Sequence, residues 1–198
     1  MSKKVLIIGA TGSIGSKVRR TLLQTTNYKL TLFSTRAGGI QTTPNREVAI
    51  SGNVMNKNDL MKVLPGQDVV FAALSGDLGG MARSIVDAMK SCGVRRIIFI
   101  SSMGIYNEIP RSIGGGNLNG NSMLRPYRVA ADVIEGSGLD YTIIRPGWFD
   151  NGSDNYEITR KGEMFKGHDV SRQAIANLVA KCINGFGIGE SLGINRPQ

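Results

Sequence analysis

Short apolar runs alternate along the chain with longer amphipathic ones. KKVLIIG at 3–9 predicts a first strand, and SIGSKVRRTLLQ at 13–24 a helix with Ile14, Val18 and Leu22 on one face. YKLTLFS at 28–34 and REVAIS at 46–51 predict two more strands. NKNDLMKVLPG predicts a short helix stopped by Pro65 and Gly66, and DVVFAAL at 68–74 a fourth strand. GGMARSIVDAMKSCG predicts a helix that closes at Gly93, with Met81, Ile85, Val86 and Met89 along one side. RRIIFIS follows as a fifth strand. LRPYRVAADVIEGSG then reads as a helix with Pro126 in its first turn, DYTIIRPG as a sixth strand and SRQAIANLVAKCING as a last helix. ESLGINR closes the series as a short strand. Ser171 or Asp169 is the expected cap of the last helix. SIGGGNLNGNS at 112–122 is too rich in Gly and Asn for regular structure and reads as a mobile loop, and 148–167 as an irregular stretch.

Strands alternating with helices imply βαβ units. The expected fold class is therefore α/β, a doubly wound parallel sheet covered on both faces. VLIIG, VVFAAL and IIFI are nearly continuous in apolar residues, as strands buried on both sides are. With no repeat and no evident linker, residues 1–198 read as a single dinucleotide-type domain. A small C-terminal appendage is expected on the substrate side, whose elements are mainly 103–122 and 148–198.

Composition changes little of this. At 41% hydrophobic and 20% charged, the chain has the balance of an ordinary globular protein. The apolar run after Lys3 and Lys4 ends in glycine too soon for a secretory h-region or a membrane span, so a cytoplasmic protein without an anchor is expected. Cys92 and Cys182 stand far apart, and with the single His168 they make no metal-type spacing; no metal is expected. The net charge of +9 is spread out. Apart from the N-terminal lysines only Arg19–Arg20 and Arg95–Arg96 pair up, and no basic stripe interleaves with aromatics, so a nucleic-acid partner is not expected.

The candidate chemistry begins at Gly9, Gly12 and Gly15, between the first strand and the first helix. Gly9 permits a tight turn, Gly12 lets a pyrophosphate approach the backbone, and Gly15 lets the helix pack closely on the sheet. The N–H groups of Ser13, Ile14 and Gly15 and the helix dipole would then favour phosphate, with Thr11 and Ser13 as hydroxyl donors.

The spacing is GxxGxxG, as GATGSIG, and it resembles the short-chain dehydrogenase superfamily in its extended and atypical branches. GNVMNKNDL, DVVFAAL, RRIIFISSMGIY, SGLDYTIIRPGWF and VSRQAIANLV follow in the order of its NmrA-like, NAD(P)H-binding atypical members. The resemblance covers nearly the whole chain. It implies that Asn53 and Val54 flank the adenine, with Asn in place of the usual Asp. It further implies that Ala72, Ala73 and Leu74 pass the ribose and pyrophosphate, that Ser101 lies in the cofactor site, and that Pro146 and Gly147 lie beside the nicotinamide. Ser171 and Arg172 would be a structural signature near the pocket, with a salt bridge the simplest role for Arg172.

The end of the second strand bears on the choice of dinucleotide. An NAD site places Asp or Glu there for the ribose 2′-hydroxyl, whereas this chain has LFSTRAGG, with Ser34, Thr35 and Arg36 and no carboxylate between Leu30 and Arg46. A guanidinium there suits a 2′-phosphate, so NADP(H) is expected over NAD(H). The other role open to Arg36 is that of a solvated loop arginine.

For carbonyl reduction the resemblance implies Ser, Tyr and a Lys four residues after the Tyr. Ser102 falls at the Ser position, but the chain has no YxxxK. Tyr127 falls where short members carry the lysine-equivalent, and Met123 at the Tyr position. Ser102 and Tyr127 are the catalytic candidates. Tyr127 either lines the nicotinamide pocket or packs beneath the Gly/Asn loop. Met103, Tyr106, Trp148 and Phe149 are the candidate substrate contacts; Trp148 and Phe149 either wall a flat acceptor or belong to the core. His168 reads as a loop residue at a helix boundary. Two functions stay open. One is an NADPH-dependent oxidoreductase that reduces a small conjugated acceptor, a flavin or quinone, by positioning alone. The other is a non-catalytic NADP(H) sensor acting on a protein partner.

Overall fold

A computed structural model describes residues 2–197. Its frame is an eight-stranded sheet. Four strands form one half: β1 (Lys4–Ile8), β2 (Lys29–Ser34), β3 (Glu47–Ser51) and β4 (Val69–Ala72). The other half is β5 (Arg96–Ile100), β6 (Asp140–Pro146), β8 (Glu157–Thr159) and β10 (Glu190–Asn195). The spatial order is β3-β2-β1-β4-β5-β6-β10-β8. Seven strands run parallel, and β8 alone is antiparallel, against β10. Register is set by apolar pairs such as Ile7 with Leu32 and Phe71. From β1 the chain winds outward through β2 and β3, then returns to β4 on the other flank. The carboxyl ends of β1 and β4 are thus the topological switch point, where doubly wound sheets open a crevice.

Helices cover both faces. On one side α1 (Ser13–Thr25) packs with α5 (Arg172–Ile183), burying Val18, Leu22, Leu178 and Val179 against Val5, Ile7 and Phe71. On the other, α2 (Lys57–Val63), α3 (Leu78–Cys92) and α4 (Arg125–Glu135) bury Leu60, Ile85, Met89 and Ile134 against Leu6, Val70 and Phe99. This is a Rossmann-type, doubly wound α/β fold. No helix among the described residues is long and apolar enough to cross a membrane.

Two expectations need refinement and one holds. The segment 148–198 is not simply an appendage: α5 covers one face of the sheet and β10 extends it beside β6. The stretch 148–167 is not wholly irregular, because it holds β8 and also β7 (Trp148–Asp150), which pairs in parallel with β9 (Asp169–Ser171). Ser171 caps α5 as expected, its Oγ accepting the Ala174 N–H at 2.9 Å.

The Gly/Asn loop forms only short turns, yet it is tied down. Asn117 exchanges two hydrogen bonds with the Ile109 backbone, Asn119 N–H donates to Asn107, and Leu118 N–H donates to Gly104 O. A buried ion pair anchors the start of that segment. The Arg145 guanidinium on β6 is fully buried and donates to Glu108, whose carboxylate also accepts the N–H groups of Gly104 and Tyr106 at 3.1 and 2.7 Å. Arg145 Nε donates to Ser191 Oγ at 3.1 Å, so the pair joins β6, β10 and the loop after β5.

Candidate functional site

A cleft of about 460 Å³ opens at the switch point. Its floor is the turn between β1 and α1. Gly9 has φ +84°, and a Cβ there would lie 2.0 Å from Ala73 O, so only glycine lets the ends of β1 and β4 come this close. A Cβ on Gly15 would lie 2.1 Å from Gly9 O. The first turn of α1 therefore sits directly on the turn that precedes it. Around Gly12 the nearest atom to such a Cβ is Gly9 O at 3.3 Å, and Gly12 itself lines the cleft. Gly9 thus makes the tight turn and Gly15 the close packing of α1, as expected of them.

The start of α1 differs from those of α2, α3 and α5, and resembles that of α4, which also lacks a side-chain cap. Asn56, Asp77 and Ser171 cap α2, α3 and α5 through their side chains. Gly12 offers α1 no side-chain cap, and no acidic residue stands in the first turn. Ser13, Ile14 and Gly15 line the cleft. This leaves the amino end of the helix dipole facing open space suited to an anion.

At the β2 end, Ser34, Thr35 and Arg36 line the cleft, with Thr11 Oγ1 donating to Ser34 Oγ at 3.2 Å. Among the described residues the Arg36 guanidinium has no hydrogen-bond or ion-pair partner; only its backbone bonds, the N–H donating to Ser34 Oγ and the carbonyl accepting the Gly39 N–H. Arg19 is committed elsewhere. Its Nε and Nη2 donate to Glu47 at 2.5 and 2.7 Å. Burial pushes the Glu47 carboxyl up, but Arg19 and the Thr43 N–H outweigh it, so the carboxyl stays below the ordinary glutamate range. The carboxylate nearest this corner in sequence is thereby neutralised, and among the described residues Arg36 is the free cation of the cleft lining.

Most of the residues expected at a cofactor site converge here: Gly9, Thr11, Gly12, Ser13, Ile14, Gly15, Ser34, Thr35, Arg36, Asn53, Val54, Ala73, Leu74 and Ser101. Tyr127 and Phe149 join them. Tyr127 also packs on the core, and its carbonyl accepts from Ser101 Oγ at 3.4 Å. Several others are not in the lining. Ala72 is fully buried within β4, one residue short of the cleft. Pro146 and Gly147 are buried; a Cβ on Gly147 would meet His168 O at 2.2 Å, so this glycine serves the β7–β9 pairing. Ser102 Oγ donates to Met103 O at 3.1 Å, and Met103 is core, packed with Ile109 and Phe165. Tyr106 is locked away, its hydroxyl donating to Glu135 at 2.7 Å and its ring flanked by Arg128, Arg145 and Lys161. Burial, reinforced by Glu135, raises the Tyr106 hydroxyl pKa well above the ordinary tyrosine value, which suits it poorly as an acid.

The aromatic pair after β6 is not core. Phe149 is 43% and Trp148 70% exposed. Arg172 stacks over Phe149 at 5.1 Å and donates to Asp150 O at 2.9 Å, in place of the expected salt bridge. Trp148 stacks on His168 with ring centroids 6.0 Å apart, and His168 Nδ1 lies 2.7 Å from Asp169 Oδ1. Sequence reasoning did not find Phe33, Gly52, Ser75, Met81 or Ile100 in the lining. Gly52 carried a signal: it stands directly after β3, and a Cβ there would lie 2.5 Å from the Phe33 ring.

An uncapped helix start at the switch point, a glycine floor and a free guanidinium at the end of β2 define a Rossmann-type dinucleotide-binding protein. A family model described as NAD(P)H-binding matches residues 9–185, and the chain belongs to that family. A Rossmann-fold NAD(P)-binding family protein from Shigella flexneri is 40% identical, with TM-score 0.86 over 100% of this chain and 95% of that one. A short-chain dehydrogenase/reductase from Veillonella parvula, solved in complex with NADP, is 28% identical, with TM-score 0.89 over 100% and 96%. Among curated proteins, an uncharacterized sugar epimerase of Bacillus subtilis is 28% identical over 90% of this chain and 89% of its own length. An NAD(P)H azoreductase of Xenophilus azovorans is 26% identical over 81% of this chain; the match spans only 54% of the azoreductase. The resemblance to atypical short-chain dehydrogenases is thus upheld, and a nicotinamide dinucleotide is the cofactor class of the family.

Proposed function

We propose that the protein is an oxidoreductase that binds NADP(H) in preference to NAD(H) and reduces a small conjugated acceptor of the flavin or quinone kind. The observation that carries the cofactor preference is the free Arg36 guanidinium at the end of β2, in a cleft that no carboxylate lines among the described residues. The N–H groups of Ser13, Ile14 and Gly15 would hold the pyrophosphate, with Thr11 and Ser13 beside them. Arg36, Ser34 and Thr35 would hold the 2′-phosphate through charge-assisted bonds. Leu74, Ser101, Tyr127 and Phe149 would surround the nicotinamide. When bound in its reduced form, that ring supplies a hydride.

The chain's own contribution at that end is orientation and exclusion of water. Phe149 lines the cleft with a part-exposed ring, and Leu74, Met81 and Ile100 supply apolar wall. No Lys, His, Asp or Glu lines the cleft among the described residues. An acceptor that takes its proton from water fits this site better than a ketone that needs an acid. The NADP-bound Veillonella relative and the NAD(P)H azoreductase support the reading.

The same lack of a Lys, His or carboxylate beside Tyr127 among the described residues, together with the absence of Tyr106 and Ser102 from the lining, favours a second reading, a non-catalytic NADP(H) sensor. Steady-state NADPH oxidation with a panel of quinones and flavins separates the two; tight cofactor binding without turnover selects the sensor. Arg36→Asp tests the cofactor preference. NADPH affinity should fall about 10- to 100-fold, as loss of a hydrogen bond between charged groups implies, while NADH affinity changes little. Equal losses for the two would refute the role of Arg36.

A further inference from the structure

We infer that Asn53 is a base-specificity residue that offers the purine a hydrogen-bond donor, so that the cleft accepts a 6-oxopurine dinucleotide as readily as the adenine one. The inference rests on the proposal that a dinucleotide occupies the cleft.

If the pyrophosphate sits over the start of α1 and the ribose 2′ position by Arg36 at the end of β2, the base reaches the end of β3. There Gly52, Asn53 and Val54 line the cleft beside Phe33. Asn53 is the side-chain amide of that lining, and no carboxylate accompanies it among the described residues. Its orientation is decided by the backbone. The Met55 N–H donates to Asn53 Oδ1 at 2.9 Å, closing a turn. An amide nitrogen cannot accept that bond, so oxygen and nitrogen are not interchangeable here. The Asn53 N–H donates to Asp59 Oδ2 at 3.1 Å, and its carbonyl accepts the Asn56 N–H at 2.9 Å, which holds the residue at both ends.

With Oδ1 taken by the Met55 N–H, the amide nitrogen is the group left for a ligand: it has no partner among the described residues, and Asn53 is exposed in the lining. It carries two donors. Adenine presents a donor, its amino group, at position 6, whereas a 6-oxopurine presents an acceptor there. A carboxylate at position 53 could close the same turn with one oxygen and accept the amino group with the other. An amide aims a donor at that edge instead and reaches only the ring-nitrogen acceptors of adenine. The site therefore lacks the element that would reject an oxygen at position 6.

The test is calorimetric titration of the whole protein with NADPH and with its hypoxanthine analogue. For the wild type the two dissociation constants should agree within about threefold. In Asn53→Asp the preference for adenine should rise about tenfold or more, since one charged hydrogen bond is gained and one repulsion introduced. Asn53→Ser keeps an acceptor for the Met55 N–H and loses the outward donor. It should weaken the analogue about threefold more than NADPH, and it decides the matter if Asn53→Asp does not fold, as judged by circular dichroism. A tenfold discrimination by the wild type, or a ratio that none of the folded variants alters, overturns the inference while leaving the cofactor reading intact. Binding of neither dinucleotide at millimolar concentration overturns both.

Discussion

Gly12 and Gly15 stand three residues apart on one turn, yet the structure predicts that replacing each with alanine will have separable effects. In Gly15→Ala the new methyl would lie 2.1 Å from Gly9 O and 2.9 Å from Gly9 C, both backbone atoms. Against an ordinary contact of 3.4 Å, the first turn of α1 must retreat by about 1.3 Å. Alanine returns about 1 kcal/mol of helix propensity. Overpacking against rigid backbone costs more, so a net destabilisation of about 1–3 kcal/mol is expected, a fall in Tm of roughly 3–10 °C for a chain of this size. In Gly12→Ala the backbone is ordinary, with φ −72°, and the nearest contact is 3.3 Å. The cost there is the poorer N-cap, about 1 kcal/mol. That methyl, however, stands where phosphate oxygens would approach the α1 N–H groups in the proposed site. Losing one or two such bonds to a charged group weakens NADPH about 10- to 100-fold or more. Thermal melts followed by circular dichroism, paired with NADPH titrations, read both effects. Wild-type binding by Gly12→Ala would refute the phosphate site at the start of α1. A melting temperature at or above wild type for Gly15→Ala would refute the close-packing role of Gly15.

Other outcomes follow from the buried charges. Arg145→Met or Glu108→Gln alone should cost about 3–5 kcal/mol by stranding the partner, and the double replacement should recover much of the loss; chemical denaturation of the three variants checks it. The Glu47 carboxyl lies below its ordinary range when folded, so its contribution is complete above that range, near pH 4.3, and is lost as pH falls through the lower folded value. Glu47→Gln should therefore lower stability at pH 7 and flatten its decline below about pH 5. Cys182 is buried, and burial pushes its thiol up to about 12, so at pH 8 a thiol reagent should modify Cys92 first and Cys182 only after denaturation.

Much of the cleft was legible because its parts are local in sequence. The turn at 9–15 and the charge at Arg36 are each written within a few residues, and their stereochemistry constrains the backbone directly. The substrate side was less legible. Tyr106 and Ser102 stand in a segment that looks like a catalytic one, but Glu108, two residues beyond Tyr106, is drawn to the buried Arg145 on β6, and Tyr106 turns with it toward Glu135. No local pattern reveals a pairing across 37 positions. Arg96 illustrates the same limit: one of two adjacent arginines in sequence, it is buried and donates to Thr142 and to the Cys182 carbonyl.

By itself, the sequence determined the alternation of strands and helices, the doubly wound class and the glycine turn, because periodicity and backbone sterics act over a few residues. Tertiary structure decided which side chains face the cleft. It neutralised Glu47 with Arg19, left the Arg36 guanidinium without a partner among the described residues, and opened Tyr127 and Phe149 to the cleft while closing off Tyr106. Those outcomes depend on strand order and on contacts between segments far apart in the chain, where burial rather than local propensity sets the energy.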